Sequence, residues 1–444
     1  MTDLGQSGSE LLNPDGFVWA VGIEDTFIGR PLRHSGRVLD EYVLTQHDRF
    51  WREDLDRAAA MGASAIRWGV PWYRVNPAPG VFDWSWVDEV LTYATDARDL
   101  TVIADLVHYG TPLWLEGSFV DPNYPRAVAE YAGAFARRYR ARVHHYTPLN
   151  EPIHTASFCG ERGVWPPYLE GPDGWLKVVF GVVAGIRASI AAIRAEDPEA
   201  VIVHVEESKV LTTAAAELSA ELAMERERNF FPTDLLLGRV DELHPLASWL
   251  ISHGVAAQLA EFQSDPPVLD VLGVNFYPEL STRELVPLEG SVVQVAFDGW
   301  ADGLAAAVRG FHDRYGLPIL VAETSTEGDD ARRVAWLHAA AGALERLRGE
   351  GVPVRGLTWW PMFDLVDWTY TAGGSSVEEF LVRVADRCGV QHIVAVPPKG
   401  ASHDGIGAFI RPMGAWRLVP ALDGVLCREE TPLVAEFRKL ACPR

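Results

Sequence analysis

Short apolar runs alternate with longer amphipathic stretches from about residue 17 to residue 360. Eight of the runs are short and apolar, and several are rich in Val and Ile, as expected for strands that are buried on both faces. We predict strands at Phe17–Gly22, Ala63–Gly69, Thr101–His108, Val143–Asn150, Val201–Glu206, Val268–Phe276, Pro318–Glu323 and Val354–Trp360.

The stretches between these runs carry apolar residues at helical spacing. They predict helices at Asp48–Met61, Trp84–Arg98, Pro125–Arg140, Gly174–Arg194, Leu211–Arg228, Gly299–Tyr315 and Asp329–Gly349, with a last helix near Pro432–Leu440. Alternation of strands and helices indicates an α/β fold with parallel strands and right-handed crossovers. Eight units favour a single (β/α)8 TIM barrel over residues 1–444. A doubly wound open sheet is the alternative, but no GxGxxG motif opens the first helix and no Walker loop is present.

Residues 371–414, between the eighth strand and the last helix, are rich in Gly, Pro and Ser. This composition predicts an extended loop at the rim of the barrel. A loop of that length is able to gate a pocket at the barrel mouth.

The charge balance narrows the choice of partners. The 444 residues carry a formal net charge of −22, which repels nucleic acid and anionic lipid and suits a neutral or cationic small molecule. The first residues do not resemble a signal peptide, and we find no apolar run of the ~18 residues that a membrane span needs. The four cysteines form no CxxC pair. We therefore expect a cytoplasmic protein with free thiols; the sequence leaves the oligomeric state open.

Chemistry is expected at the carboxyl ends of the strands, where barrels of this class hold their active sites. The residues there are Arg67, His108, Asn150, Glu151, Asn275, Tyr277, Glu323 and Trp360, with Asp364 just beyond. Carboxylates, amides and aromatic rings together are typical of a sugar site. Glu151 and Glu323 follow strands four and seven, which lie across the barrel mouth from each other. Two such carboxyl groups about 5–5.5 Å apart cleave glycosides with retention of configuration.

No metal or organic cofactor is expected. The adjacent pair His144 and His145 is the most tempting metal-binding motif, but neighbouring residues of a strand point to opposite faces and cannot share one ion.

Five segments resemble motifs of the family 1 glycoside hydrolases, which include β-glucosidases and β-galactosidases. They are IRWGVPWYRVNP, TPLNEP, VNFYPEL, ILVAET and WPMFDLVDW, in the family's order and at the spacing of barrel strands. The resemblance extends from Phe17 to about Trp416. It implies that Glu151 is the acid/base, that Glu323 is the nucleophile and that Asn150 holds the sugar 2-hydroxyl.

The same resemblance gives roles to the surrounding residues. Arg67 neighbours the nucleophile, Tyr277 donates a hydrogen bond to it, and His108 binds the sugar. Asp367 takes the place of the family's second glycone carboxylate. Apart from the resemblance, most of the 16 tryptophans are expected to serve packing, and Trp360, Trp368 and Trp165 are the candidates for sugar stacking. Asp364 has two readings that remain open, a substrate contact and a cap of the loop beyond strand eight.

Three departures from the family pattern bear on the substrate. Phe27 stands where the family has a glutamine, and Glu24 and Asp25 are the nearest polar residues. Asp367 is one methylene shorter than the usual glutamate, and Thr324-Ser325 replaces an Asn-Gly pair. We expect Phe27 to narrow the pocket floor and plain glucosides to be poor substrates, with a deoxy sugar or a pentose preferred.

The sequence thus predicts a retaining β-glycosidase that hydrolyses small β-glycosides through a covalent intermediate. Glu151 is expected to hold a proton near neutral pH while Glu323 stays ionised. One alternative keeps the carboxylates but transfers the glycosyl unit to another acceptor, or trims a sugar from a specialised metabolite. A less favoured alternative is a non-catalytic barrel that binds a ligand, because a fold does not fix a function.

Overall fold

The computed structural model describes residues 10–397 and 405–442. Within them, eight parallel strands close into a barrel in which every strand pairs with its neighbours in sequence and the last pairs with the first. The strands are β1 (Val18–Gly22), β2 (Ala65–Gly69), β3 (Thr101–Asp105), β4 (His145–Thr147), β5 (Val201–Glu207), β6 (Val271–Asn275), β7 (Ile319–Thr324) and β8 (Val354–Trp359). The predicted (β/α)8 barrel and its eight strands are confirmed.

Alternation along the strands separates the barrel interior from the helical layer. Val201, Val203 and Val205 of β5 pack inside the barrel with Ala20 of β1 and Leu320 of β7. The intervening side chains, such as Ile202 of β5, belong to the larger core between strands and helices. Because the apolar layer fills the barrel below, polar side chains collect at the carboxyl ends of the strands.

The principal helices form the outer layer. They are α1 (His47–Ala60), α2 (Ser85–Thr92), α3 (Tyr124–Tyr139), α4 (Gly171–Glu196), α5 (Ser219–Leu236), α6 (Trp300–Tyr315), α7 (Asp330–Gly349) and α8 (Pro432–Ala441). A π-helical turn, Tyr93–Ala97, extends α2. Short helices lie at Glu41–Leu44, Trp72–Val75, Pro152–Ala156, Ala247–Ser252 and Ala256–Gln263.

One predicted helix, Leu211–Arg228, is wrong in its first eight residues. Val210–Thr212 forms a strand and Ala216–Leu218 a 3-10 turn before α5 begins at Ser219. The alanines of this stretch imitate a helical pattern, but Val210–Thr212 pairs in parallel with a distant strand that begins at Thr282. Such pairing overrides local propensity.

The strand at Val210–Thr212 belongs to a second sheet, which lies outside the barrel. Its strands follow the order Gln391–Ala395, Leu381–Ala385, Ser291–Ala296, Thr282–Leu288 and Val210–Thr212. The prediction of a structureless rim loop over residues 371–414 is therefore wrong in part, because 381–395 form an antiparallel hairpin on this sheet. Residues 398–404 of the predicted loop lie outside the described residues.

Three two-stranded pairings complete the described structure. They join Phe27–Ile28 to Leu39–Asp40, Leu365–Val366 to Ile410–Arg411, and Trp416–Pro420 to Leu426–Glu430. The second pairing brings Arg411 close to the barrel mouth.

Helix α4 is long and apolar enough, by length and composition alone, to cross a membrane. The sequence-based expectation that no run reaches this length overlooked it. More than half of its most apolar stretch is buried in the fold, chiefly against α3. A core helix of a soluble protein has the same properties, so this helix is weak evidence for a membrane span.

Candidate active site

A cavity of about 110 Å³ opens at the carboxyl ends of the barrel strands. Glu151 and Glu323 both line it, and they are 6% and 4% exposed. The other walls come from strand ends, including His108 and Tyr277, and from the segment 377–380 that precedes the rim hairpin. The two glutamates singled out in the sequence therefore share one small, enclosed space.

Glu323 lies near the end of β7, and two donors hold its carboxylate. Arg67 of β2 donates from Nη1 to Oε1, and the Tyr277 hydroxyl donates to Oε2 at 2.8 Å. Arg67 is fully buried. It also donates to Asp105 of β3 and, at 2.7 Å, to Oδ1 of Asn150. Arg67 of β2 thus links Glu323 to Asp105 of β3 and to Asn150 after β4, and these contacts hold the nucleophile candidate in position.

The ionisation of Glu323 differs from the expectation. Burial raises the pKa of this carboxyl to about 8, the charge of Glu151 adds to the rise, and the cation of Arg67 opposes both. Desolvation penalises the charged form more than one guanidinium and one hydroxyl restore. Burial therefore favours the protonated form of Glu323 near neutral pH, and the assignment of an ionised Glu323 is not supported.

Glu151 is held in an unusual backbone conformation. Its φ of 47° and ψ of 70° lie in the left-handed region, which is uncommon for residues other than glycine. Its N–H donates to the carbonyl of Val205 in β5 at 3.1 Å. Its carboxylate accepts from the Tyr109 hydroxyl at Oε2 and from Asn275 Nδ2 at Oε1, the latter at 2.8 Å. Strain of this kind persists where the surroundings fix it, and it occurs most often at functional sites.

Asn150 and His108 form the wall between the two glutamates and β3. Asn150 Nδ2 lies 2.9 Å from the Tyr109 hydroxyl and 3.2 Å from His108 Nε2. His108 Nδ1 lies 2.7 Å from Asp25 Oδ1 and 3.0 Å from Asp105 Oδ2. Burial lowers the pKa of His108, but the two carboxylates outweigh it and raise this pKa well above its ordinary value. The ring is thus able to offer Nε2–H to a ligand hydroxyl.

Comparison with known proteins identifies the family. The profile described as "Glycosyl hydrolase family 1" matches residues 15–239, about half of the chain. The chain belongs to glycosyl hydrolase family 1. The matched region contains β1 to β5 and with them Arg67, His108, Asn150 and Glu151. The resemblance seen in the sequence motifs is confirmed, and the protein is a glycoside hydrolase.

Curated relatives and solved structures are similar to this chain over most of their length. A bifunctional β-D-glucosidase/β-D-fucosidase of Bifidobacterium breve is 26% identical over 410 residues, covering 78% of this chain and 85% of the relative. The thermostable β-glucosidase B of Thermobispora bispora is 24% identical over 414 residues, with 82% and 85% covered. The β-glucosidase from Thermotoga maritima in complex with glucoimidazole has a TM-score of 0.76 at 16% identity, covering 96% and 98% of the two chains. At that identity the structure shows the shared fold alone.

The tryptophan candidates of this family 1 chain occupy different positions. Trp368 lines the cavity, and its indole packs edge-on to Tyr109 with ring centroids 5.8 Å apart. Trp360 is 1% exposed and does not line the cavity. Its ring stacks on His108 with centroids 5.7 Å apart. Trp368 is thus placed to stack on a sugar, whereas Trp360 supports the histidine from behind.

Phe27 does not narrow the pocket floor, so that expectation is wrong. Its ring packs edge-on to the buried Tyr42, with centroids 4.7 Å apart, and it does not line the cavity. The residue of the first strand's loop that does line it is Glu24. Trp360 Nε1 donates to Glu24 Oε2 at 3.1 Å. Counting residues from the start of the strand did not identify this contact, because the path of a loop is not set by the local sequence pattern.

The two aspartates after β8 separate into a pocket residue and a structural one. Asp367 lines the cavity, and its Oδ1 accepts from Thr369 N at 3.0 Å and Oγ1 at 2.6 Å. Asp364 does not line the cavity. Its carboxylate accepts backbone N–H groups of Met413, Gly414 and Leu418 at 2.9 to 3.1 Å. The substrate role of Asp364 is corrected to the alternative, a cap of the loop beyond strand eight.

Sequence reasoning missed a charged wall on the rim side of the cavity. Glu379, from the predicted loop, contacts Lys209 Nζ at 2.7 Å, Arg283 Nη1 at 2.8 Å and Ser157 Oγ at 2.7 Å. Arg283 also lies 3.4 Å from Glu207 at the end of β5. Apart from the neighbouring Glu207 and Lys209, these residues come from distant segments of the chain, and they carry no local motif. Of these residues only Glu207 directly follows a predicted strand, and active-site residues of such barrels are expected at the strand ends.

Two clusters in the described residues bring enough ligand atoms together to hold a metal ion. Asp25, Asp105 and His108 form one, and Glu227, Asp234 and His244 form the other. In each cluster a guanidinium already neutralises a carboxylate, Arg67 at Asp105 and Arg314 at Asp234. A bound cation would compete with these arginines, which disfavours both clusters as metal sites.

Proposed function

We propose that the protein is a retaining β-glycosidase that hydrolyses small β-glycosides through a covalent glycosyl-enzyme intermediate. One observation carries the proposal. The two carboxyl groups Glu151 and Glu323 line one small cavity at the carboxyl ends of β4 and β7, each held by its own pair of donors. A pair of fixed carboxyl groups around one bond is the arrangement that glycoside hydrolysis needs.

In the first step Glu323 acts as the nucleophile. Its carboxylate oxygen attacks the anomeric carbon while the bond to the leaving-group oxygen breaks, and a glycosyl ester forms. Arg67 and Tyr277 donate to this carboxyl group and hold it in position. Only the ionised carboxyl attacks, so the Glu323 proton has to pass to solvent before the ester forms, while Glu151 keeps its own proton for the leaving group.

Glu151 acts as the acid and then as the base. It donates its proton to the departing oxygen, and the resulting carboxylate then takes a proton from the water that cleaves the ester. Tyr109 and Asn275 hold its two oxygens from opposite sides. The left-handed backbone at Glu151 directs this side chain into the cavity.

The sugar is bound by the groups around the two glutamates. Asn150 is fixed by Arg67 at its carbonyl and lies beside Tyr109 and His108 at its amide, which suits a contact with the sugar 2-hydroxyl. His108 offers Nε2, and Trp368 offers an aromatic face to the apolar side of a pyranose. Asp367 is a shorter second carboxylate for the glycone.

The roles are tested with Glu323→Gln and Glu151→Gln on aryl β-glycosides. Glu323→Gln is expected to abolish turnover of every substrate. Glu151→Gln is expected to spare formation of the intermediate from dinitrophenyl glycosides, because a good leaving group needs little acid help. Glu345→Gln, an exposed position on α7, serves as the control for expression and folding.

The stereochemical outcome is followed by NMR during turnover, with hydrolysis and transfer products both recorded. Release of the β-anomer first supports retention. Initial release of the α-anomer would mean inversion and would refute the covalent intermediate. Equal loss by both glutamine variants on dinitrophenyl substrates would contradict the assigned roles.

A further inference from the structure

The cavity is lined by more carboxylates than cations. Seven acidic residues line it, against two arginines and two histidines. Arg67 and Lys209, which are not lining residues themselves, contact two of these carboxyl groups.

Most of the lining carboxylates have a cationic neighbour. Arg67 neutralises Glu323, and Arg283 lies 2.8 Å from Glu379 and 3.4 Å from Glu207. Arg411 lies 3.7 Å from Asp367 and 3.5 Å from Glu378. These pairs explain how so many acids are kept in a small space.

Glu24 has no such partner. Among the residues that the structure describes, it forms no ion pair, and it is 4% exposed. Its oxygens accept only neutral donors, from Thr26 Oγ1 at 2.6 Å, Thr26 N at 3.3 Å and Trp360 Nε1 at 3.1 Å. A carboxylate has about four acceptor sites, so one remains open. The open site and the uncompensated charge belong to a side chain that lines the cavity.

A second carboxyl group, that of Glu41, lies close enough to Glu24 for their charges to interact. Glu41 is fully buried, and its Oε1 has no hydrogen-bond partner. Burial raises the pKa of Glu41 well above its ordinary value, and the charge of Glu24 adds to this rise. Glu41 therefore brings no positive charge to Glu24.

We propose that the glycone of the substrate carries an amino group whose ammonium pairs with Glu24, so that β-glycosides of amino sugars are the preferred substrate class. The inference deepens the proposed glycosidase function and rests on it. An ammonium group fills the open acceptor site and forms an ion pair with a carboxyl group that forms none with the described residues. A neutral sugar hydroxyl fills the site without neutralising the charge.

A structural role for Glu24 is the competing explanation, because its carboxylate also orients Trp360. Glu24→Gln separates the two roles. The glutamine side chain keeps the shape and one oxygen acceptor for Trp360, but it removes the charge. Glu378→Gln is the matched control, since it removes a lining carboxylate that is already paired with Arg411.

The test compares kcat/KM for 4-nitrophenyl β-glucoside with kcat/KM for analogues in which an amino group replaces each hydroxyl in turn, at a pH at which the amine is protonated. We expect one analogue to exceed the glucoside by about tenfold or more, as an ion pair in a desolvated site allows. Glu24→Gln should reduce this preference by about tenfold, and Glu378→Gln by less than about threefold. The proposal is overturned if no analogue is preferred, or if Glu24→Gln leaves the preference unchanged.

Binding of the free sugars separates failure of this inference from failure of the glycosidase function. Calorimetry compares glucose with its amino-substituted isomers on the wild type and on Glu24→Gln. Suppose that the wild type binds an amino sugar more tightly than glucose, that Glu24→Gln loses this difference, and that no glycoside is turned over. This result would support the pairing of the ammonium with Glu24 and refute the glycosidase function. Hydrolysis of neutral glycosides with no amino preference in either assay would refute the pairing and leave the function intact.

Discussion

Removal of the Tyr277 hydroxyl is expected to move the acidic limb of the pH profile to higher pH. Burial raises the pKa of Glu323 to about 8, and only the ionised form attacks. The kcat/KM of the wild type should therefore rise with pH until about 8. The Tyr277 hydroxyl donates to Glu323 Oε2 at 2.8 Å and favours the charged form. Tyr277→Phe removes this donor and should raise the pKa of Glu323 further.

The magnitude follows from the strength of the contact. A hydrogen bond to a charged group contributes about 1.5–3 kcal/mol, and one pKa unit corresponds to about 1.4 kcal/mol. The limb should thus move upward by about one to two pH units in Tyr277→Phe. At pH 7 the fraction of ionised enzyme, and with it kcat/KM, falls by about ten- to a hundredfold.

The assay measures kcat/KM of a reactive aryl β-glycoside from about pH 5 to about pH 10 in both proteins. Tyr93→Phe is the matched control, because Tyr93 lies on the outer helical layer and donates to Asp56. Its profile should coincide with that of the wild type. A Tyr277→Phe profile that keeps the wild-type limb and falls equally at every pH would refute the proposed effect on Glu323 ionisation. A wild-type limb near the ordinary glutamate pKa would refute the raised value itself.

Three further predictions follow from the same contacts. The folded-state pKa of Glu323 is raised, so this group stabilises the fold fully below its ordinary pKa, and the contribution is lost as pH rises through about 8. The melting temperature of Glu323→Gln minus that of the wild type should therefore be larger at about pH 9 than at about pH 5. The same difference at both pH values would contradict this prediction. Asp367→Glu should improve kcat/KM on the glucoside relative to the galactoside, fucoside and xyloside by about tenfold, because the longer side chain reaches further into the pocket. If the glucoside is already the best substrate of the wild type and the substitution does not raise its kcat/KM, specificity is not set at Asp367. Asp364→Asn should destabilise the protein by about 1–3 kcal/mol in urea unfolding with KM little changed, because its carboxylate accepts three backbone N–H groups; a raised KM without loss of stability would restore its substrate role.

The sequence by itself determined the barrel and the two central carboxylates. The eight strands are short apolar runs buried on both faces, so composition and periodicity mark them without tertiary information. Glu151 directly follows one of these predicted runs and Glu323 ends another, and the carboxyl ends of barrel strands lie at one rim of the barrel. Arg67, His108, Asn150, Asn275 and Tyr277 were predicted for the same reason, and the structure brings them together around the two glutamates.

Tertiary structure decided what lies beyond the strand ends. Counting along the loop after β1 pointed to Phe27, whereas the fold brings Glu24 to the cavity and buries Phe27 against Tyr42. The segment 371–414 has a loop-like composition, but pairing with a strand more than eighty residues away makes part of it a hairpin and brings Glu379 to the pocket wall.

Ionisation depended on the tertiary structure as well. Two nearby donors suggested an ionised Glu323, yet the degree of burial around the carboxyl determines its pKa. Loop paths, distant strand pairing and desolvation all arise from contacts between residues far apart in the chain. A local pattern does not encode them, and they set the walls and the charge of this pocket.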